Sequence, residues 1–443
     1  MKIQISDHFT TKKLIRFALP SIVMMMFTSI YGVVDGFFVS NYAGKTPFAA
    51  VNLIMPFIML LSCIGFMVGT GGSALVSKTF GEGDKKKANE IFSMLIYFVI
   101  ILGIILTVAG QLMLRKISSL LGADDSMLDY CVLYGRITLA SLTFFMLQNA
   151  FQSFFVTAEK PNLGLMVTIM AGVTNMALDF IFVGVMKWGI SGAAIATMIS
   201  EIIGGGVPLI YFFSKNKSLL KLSKTHFDGK ALLKTCTNGS SELMTNLSVS
   251  LVNMLYNYQL IKFFGQNGVA AYGVIMYVSF IFAAVFFGYS IGVAPIIGYN
   301  YGAQNHYELK NMFKKSLWFN GISGLAMTML AVLLSDSLSE MYVGYDKELF
   351  ELTKMAFILF STRYLISGFN VFSSSFFTAL NNGLISALIS FLRTFIFQIA
   401  AIFILPVLFT ENSIWLSITV SELLTLAVSV FFFITQHKKY HYM

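Results

Sequence analysis

IFSMLIYFVIILGIILTVAGQLML occupies residues 91–114 without a single charged side chain. A helix needs about 20 mostly apolar residues to cross the hydrocarbon core of a bilayer, and this stretch supplies them in one unbroken run. Barrel strands are short and alternate in polarity, so a continuous run of this kind reads as a helix. Similar runs bounded by charge or turn residues lie at about 14–38, 48–78, 130–158, 163–185 and 190–213. Six more follow at about 236–264, 269–298, 316–335, 350–379, 384–408 and 413–435. The pattern predicts an all-α polytopic membrane protein with twelve transmembrane helices.

Composition agrees. Of 443 residues, 56% are hydrophobic and only 12% are charged, against about 25% charged in ordinary soluble domains. So few charges cannot solvate the surface of a soluble enzyme or nucleic-acid binder of this length, and the same balance excludes a disordered chain. Cys63, Cys131 and Cys236 lie far apart, without metal or redox spacing, and predict no disulfide framework.

The net charge of +9 is distributed by side rather than by patch. An even number of spans puts both termini on one side. That side collects Lys2, Lys12, Lys13, Arg16, the Lys85-Lys86-Lys87 triplet, the lysines of 215–234, and Lys310, Lys314, Lys315, Lys438 and Lys439. The positive-inside rule makes it the cytoplasm. Trp188 and Trp415 fall in or beside short outer loops, where interfacial anchors are expected.

The two halves look duplicated. A shift of 221 places Gly44 on Gly265, Gly81 on Gly302, Asn149 on Asn370 and Ser200-Glu201 on Ser421-Glu422. The division expected is an N-terminal six-helix lobe (1–213), a basic linker (214–235) and a C-terminal six-helix lobe (236–443). Six is even, so both lobes enter the bilayer in the same sense, and the pseudo-twofold runs along the membrane normal with a cavity between them.

Ionisable groups inside spans are costly and need a partner, a wet cavity or a task. Asp35 lies near the outer end of helix 1 between Gly32 and Gly36, where close backbone approach is expected. Asn175 and Asp179, four apart, share a face of helix 5, and Thr197 and Glu201 share one of helix 6. Convergence of these groups would make an oxygen-rich pocket for a hard monovalent cation or a shared proton, since two close carboxylates resist joint ionisation. Other readings stand beside this one. Asp35 could face the outer interface, Asn175 and Asp179 could clamp helices, and Glu201 and Glu422 could be an ancestral structural pair. Glu242, near the start of helix 7, suits a solvated vestibule. Arg363 and Arg393 would snorkel, counter carboxylates or line a C-lobe cavity. The Gly69–Ser73 stretch suits close helix packing rather than a phosphate cradle. Pro20, Pro56, Pro208, Pro295 and Pro406 are expected to kink their helices.

At these residues the chain resembles the multidrug and toxic compound extrusion (MATE) family, over nearly its whole length. The resemblance is carried by Tyr31-Gly-Val-Val-Asp35-Gly-Phe-Phe-Val and by Ser77-Lys-Thr-Phe-Gly-Glu-Gly-Asp-Lys-Lys-Lys-Ala88. It is carried equally by Asn175-Met-Ala-Leu-Asp179-Phe-Ile-Phe-Val-Gly184 followed by Gly189-Ile-Ser-Gly-Ala-Ala-Ile-Ala-Thr197. The segments around Tyr256-Asn-Tyr258, Gly268–Gly273 and Phe376–Gly383 resemble its bacterial MepA-like branch. The resemblance implies a proton- or sodium-driven antiporter of the bacterial plasma (inner) membrane, exporting amphipathic, often cationic compounds by rocking of two lobes; no oligomer signal is readable in the sequence, and a monomer is the default expectation. The resemblance implies no enzymatic activity and no cofactor beyond the coupling ion. Asp35, Asn175, Asp179 and Thr197 match its ion-coupling positions, including a possible Na+ site. Another branch uses acids on helices 7 and 10. Here Glu242 is near helix 7, but helix 10 carries Arg363 and no carboxylate in its core, which favours the N-lobe site. A lipid-linked precursor flippase of related architecture is the alternative, and an intramembrane aspartyl enzyme lacks the usual motif around Asp179.

Overall fold

A computed structural model describes residues 3–443; Lys2, counted above on the lysine-rich side, lies outside them. Among the described residues nine helices are long and apolar enough to cross a membrane, and two bent helix pairs qualify as one span each. One of the nine, Gly229–Gly302, is broken at Gly265 (φ 60, ψ −146), and dividing it there gives twelve spans. In chain order they are α1 (Thr11–Ala43), α2 (Thr46–Gly81), α3 (Lys85–Leu120), α4 (Asp125–Ala140 with Leu142–Thr157), α5 (Pro161–Val185) and α6 (Gly189–Phe213). The second half holds α7 (229–264), α8 (266–302), α9 (His306–Val343), α10 (Lys347–Ser361 with Tyr364–Ala379), α11 (Gly383–Leu408) and α12 (Glu411–Tyr440).

Local sequence explains the ends. Side-chain acceptors at the last non-helical residue, Asp84, Asp124, Asp228, Asn305 and Asp346, take free N–H groups at the starts of α3, α4, α7, α9 and α10. Pro161 opens α5, where its missing N–H costs nothing. The prolines do not produce the sharp bends. All five stay inside helical segments, whereas α4 bends by 55° at Ser141 and α10 by 45° at Thr362-Arg363. π-helical turns occupy 39–43 and 180–185, directly C-terminal to the turns that carry Asp35 and Asp179. Such turns are frequent at functional sites.

The repeat is visible in the backbone. Gly44 (φ 97) and Gly265 (φ 60) make equivalent turns, as do Gly83 (φ 90) and Gln304 (φ 55). A side chain on Gly81 would overlap the carbonyl of Tyr299, and one on Gly302 would overlap that of Lys78, the symmetry-related contact. The register slips once: the left-handed residues after α4 and α10 are Glu159 and Asn381, one residue further apart than the shift.

These crossings close the lysine-rich end. Gly71 leaves room for the Thr235 carbonyl, Gly239 for that of Met67, and Asn381 donates to the Ala74 carbonyl at 3.2 Å. The glycine-rich stretch of α2 is thus a packing surface, with Gly69 against Ala150 and Gly72 against Leu95. The connection 214–228 has no regular structure and docks on α3, Lys221 N–H donating to Asn89 at 2.7 Å and Ser223 N–H to Ser93 at 2.8 Å. Two expectations fail. Gly32 and Gly36 have no heavy atom within 4 Å of a built Cβ, so they admit no close neighbour. Trp415 is fully buried against Phe264 and Tyr256 because its ring fills the outer C-lobe core, whereas Trp188 is 47% exposed.

Gly265 sits in a backbone region that side chains rarely adopt, worth about 1–3 kcal/mol of strain for any other residue. Gly265→Val is expected to lower the thermal unfolding temperature in detergent, while Gly273→Ala, at a site with open space, leaves it unchanged or raised.

Candidate functional site: an N-lobe acid cluster beside an interlobe cavity

The N-lobe spans bring together the groups that the spacing singled out. Asp35 of α1 reaches toward Asp179 and Asn175 of α5 and Thr197 of α6. Asp179 and Asn175 are 0% and 2% exposed. Asp35 Oδ1, both carboxylate oxygens of Asp179, Asn175 Oδ1 and Thr197 Oγ1 are buried without a hydrogen-bond partner among the described residues. Unsatisfied buried polar atoms normally mark strain or a missing ligand. A set of carboxylate, amide and hydroxyl oxygens is hard, matching an alkali cation or an exchangeable proton.

The close approach comes from Gly172 on α5 rather than from the glycines flanking Asp35. A Cβ there would lie 2.6 Å from the Phe27 ring and 2.8 Å from that of Tyr31. Tyr31 accepts a 3.5 Å hydrogen bond from Gln148 of α4. Glu201, one turn beyond Thr197, accepts from Ser141 at 2.6 Å, at the bend in α4. It therefore ties α6 to α4 at the edge of the cluster.

The same scaffold is furnished differently in the C lobe. The 221-residue shift places Asp35 on Tyr256. Tyr256 is fully buried, donates to the Ile414 carbonyl at 2.7 Å and stacks on Tyr272. Glu422, the counterpart of Glu201, is an ion-pair member. Arg393 of α11 grips it through Nε at 2.9 and 3.1 Å and Nη2 at 2.8 Å, while Ser367 at 3.0 Å and Asn370 at 2.7 Å complete its shell. Arg363 instead lies over the rings of Phe360 and Tyr364, 4.8 and 5.3 Å from their centroids. The sequence presented Arg393 and Glu422 as separate intramembrane charges, and nothing in their spacing pairs them.

Between the lobes lies a cavity of about 240 Å³ with an aromatic and thioether wall, Phe66, Phe280, Phe287 and Met25, and two charged groups, Glu242 and Arg393. Both lobes line it. Glu242 lines the cavity, whereas Glu201, Arg363 and Glu422 stand outside its lining. So do Asp35, Asn175, Asp179 and Thr197. The acid cluster and the cavity are separate, and α1 joins them: Met25 and Ser29 face the cavity and Asp35 follows Ser29 by less than two turns.

Comparisons with known proteins agree with this architecture. The chain is 24% identical over 405 residues to the multidrug export protein MepA of Staphylococcus haemolyticus (strain JCSC1435), covering 91% of this chain and 87% of that one. It is 24% identical over 366 residues to the probable multidrug resistance protein YoeA of Bacillus subtilis (strain 168), covering 79% of each. A crystal structure of MATE in complex with MaL6 superposes with a TM-score of 0.93 over 98% of both chains at 19% identity. The outward-facing conformation of a multidrug resistance MATE family transporter of the MOP superfamily superposes with 0.92, again over 98% of both at 19% identity. The MatE family model matches twice, over residues 20–181 and 243–404, once in each lobe. The chain, a multi-pass membrane protein, therefore belongs to the MatE family of transporters.

Proposed function

We propose that this protein is a cation-coupled antiporter that exports amphipathic, often cationic organic compounds by alternating access, driven by H+ or Na+ bound at Asp35, Asn175, Asp179 and Thr197. The observation that carries this reading is the set of unsatisfied buried oxygens at those four residues, one of which, Asp35, is on the helix that also lines the interlobe cavity. The names of the MepA relatives as multidrug export proteins support the class of cargo.

Coupling follows from electrostatics. With the cluster empty and ionised, the carboxylates of Asp35 and Asp179 repel, and α1 is held off α5. A bound proton or sodium ion removes that repulsion and lets α1 repack against α5. Because Met25 and Ser29 sit on α1, the repacking reshapes the cavity wall and expels its occupant. Transport is coupled because ion and cargo favour different positions of one helix, a difference in affinity being the sole lever a ligand has on such an equilibrium.

The lysine-rich end, closed by the α2–α8 glycine crossings, is assigned to the cytoplasm of a bacterial plasma (inner) membrane, with both termini on that side. The lipid-linked precursor flippase is the weaker reading. Pyrophosphate demands a strongly cationic cavity, whereas here the guanidinium of Arg393 is engaged by Glu422 and faces Glu242 across the same space.

Efflux from proteoliposomes under separately imposed proton and sodium gradients tests the proposal. Acceleration by one gradient identifies the ion, and no response to either would remove the coupling reading. Asp35→Asn and Asp179→Asn are each expected to reduce gradient-driven dye efflux to background while the protein inserts and folds; normal extrusion by either variant would sink the site. Gly172→Leu, which wedges α1 away from α5, is expected to abolish coupled efflux while leaving all four polar groups in place. Unchanged coupling in that variant would show that the α1–α5 approach is dispensable.

A further inference from the structure

The C-lobe ion pair does more than neutralise charge. Glu422 is 2% exposed, and its carboxylate engages Nε and Nη2 of Arg393, with Ser367 and Asn370 on its remaining lone pairs. Ser421 donates to the Arg393 carbonyl at 2.8 Å, fixing the backbone as well. The guanidinium is therefore immobilised. Its third nitrogen, Nη1, takes no part in the grip on Glu422, and the Arg393 side chain, 14% exposed, lines the cavity. A hydroxyl ladder runs beside it. Ser390, three residues earlier on α11, meets Ser374 at 2.8 Å; Ser374 meets Ser386 at 2.9 Å, and Ser386 meets Thr378 at 2.7 Å. Ser374, Thr378 and Ser390 all line the cavity.

One wall thus presents an oriented cationic donor with hydroxyls beside it, the aromatic side chains offer an apolar bed, and Glu242 supplies a carboxyl group with no side-chain hydrogen-bond partner among the described residues. A simple monocation would use Glu242 but leave the Arg393 donor unanswered. We propose that Arg393 is a specificity-determining residue that takes a carboxylate or similar planar oxyanion of the cargo, so that the cavity prefers amphiphiles carrying both an amine and an acid group. Glu422 is the positioning residue that holds the fork in place. An ammonium group then meets Glu242 and the apolar body lies on Phe66, Phe280 and Phe287. This assignment rests on the export reading for the choice of cavity, and on nothing in the acid cluster.

The test compares a fluorescent aryl amine bearing a carboxylate with the methyl ester of the same compound, by equilibrium binding to the purified full-length protein and by efflux from proteoliposomes. A charge-assisted hydrogen bond to a fixed guanidinium corresponds to roughly tenfold tighter binding of the acid. In the double variant Arg393→Gln/Glu422→Gln, which keeps hydrogen-bonding groups and removes both buried charges together, the acid-to-ester ratio is expected to fall to about one. An unchanged ratio in that variant overturns the assignment. So does equal or weaker binding of the acid by the unaltered protein, a measurement that needs no variant to fold. If the ester is exported and the acid neither binds nor competes, the export reading stands and this inference fails. If both bind with the expected ratio and neither is moved under any gradient, export fails and the anion subsite stands.

Discussion

No charge can rest unattended in hydrocarbon, and the organisation of this protein follows from how it meets that constraint. At the bilayer centre an ionised carboxylate costs a few kcal/mol even on the mildest scales. Asp35, Asp179, Glu201, Glu242 and Glu422 lie buried or half-buried within the spans, and the chain does not treat them alike. Glu422 is paired with Arg393 and fully coordinated. Asp35 and Asp179 face one another with oxygens that no side chain answers. A paired acid stabilises one arrangement; in the proposed mechanism the unpaired couple is what a small cation answers.

That division of labour is laid over a duplicated scaffold. The lobes share left-handed turns at Gly44 and Gly265 and meet at the lysine-rich end through the related Gly81 and Gly302 contacts. Their interiors diverge at equivalent positions. Where the N lobe has Asp35, the shift gives Tyr256. A glycine lets α1 approach α5 in one half, while in the other an arginine of α11 clamps α12 and lines the cavity. The frame is symmetric and its furnishing is not, and the proposed ion coupling rests on that asymmetry.

Much of the candidate site was legible because helical periodicity is rigid. Asn175 and Asp179 are one turn apart, as are Thr197 and Glu201, so each pair shares a face whatever the tertiary arrangement. Their meeting with Asp35 was an expectation of convergence that spacing cannot prove. The glycines beside Asp35 suggested the wrong route to it, since the crowding lies at Gly172, on the opposite helix. Trp415 and the prolines misled for a similar reason. A tryptophan near a span end fits an interface or a core equally well, and a proline permits a kink without demanding one. The pairing of Arg393 with Glu422 joins residues on different spans, and no local pattern encodes a partner across an interhelical gap.

The chain by itself determined its solvent, its twelve crossings, its lysine-rich side and its duplication, because hydrophobic length, charge bias and repetition act through short-range sequence and need no knowledge of neighbours. Tertiary structure decided which acids stand unanswered and which is paired, where the lobes touch, and which side chains of each line the cavity. Those outcomes depend on the rotation and depth of each helix against the next, which packing sets and composition leaves undetermined.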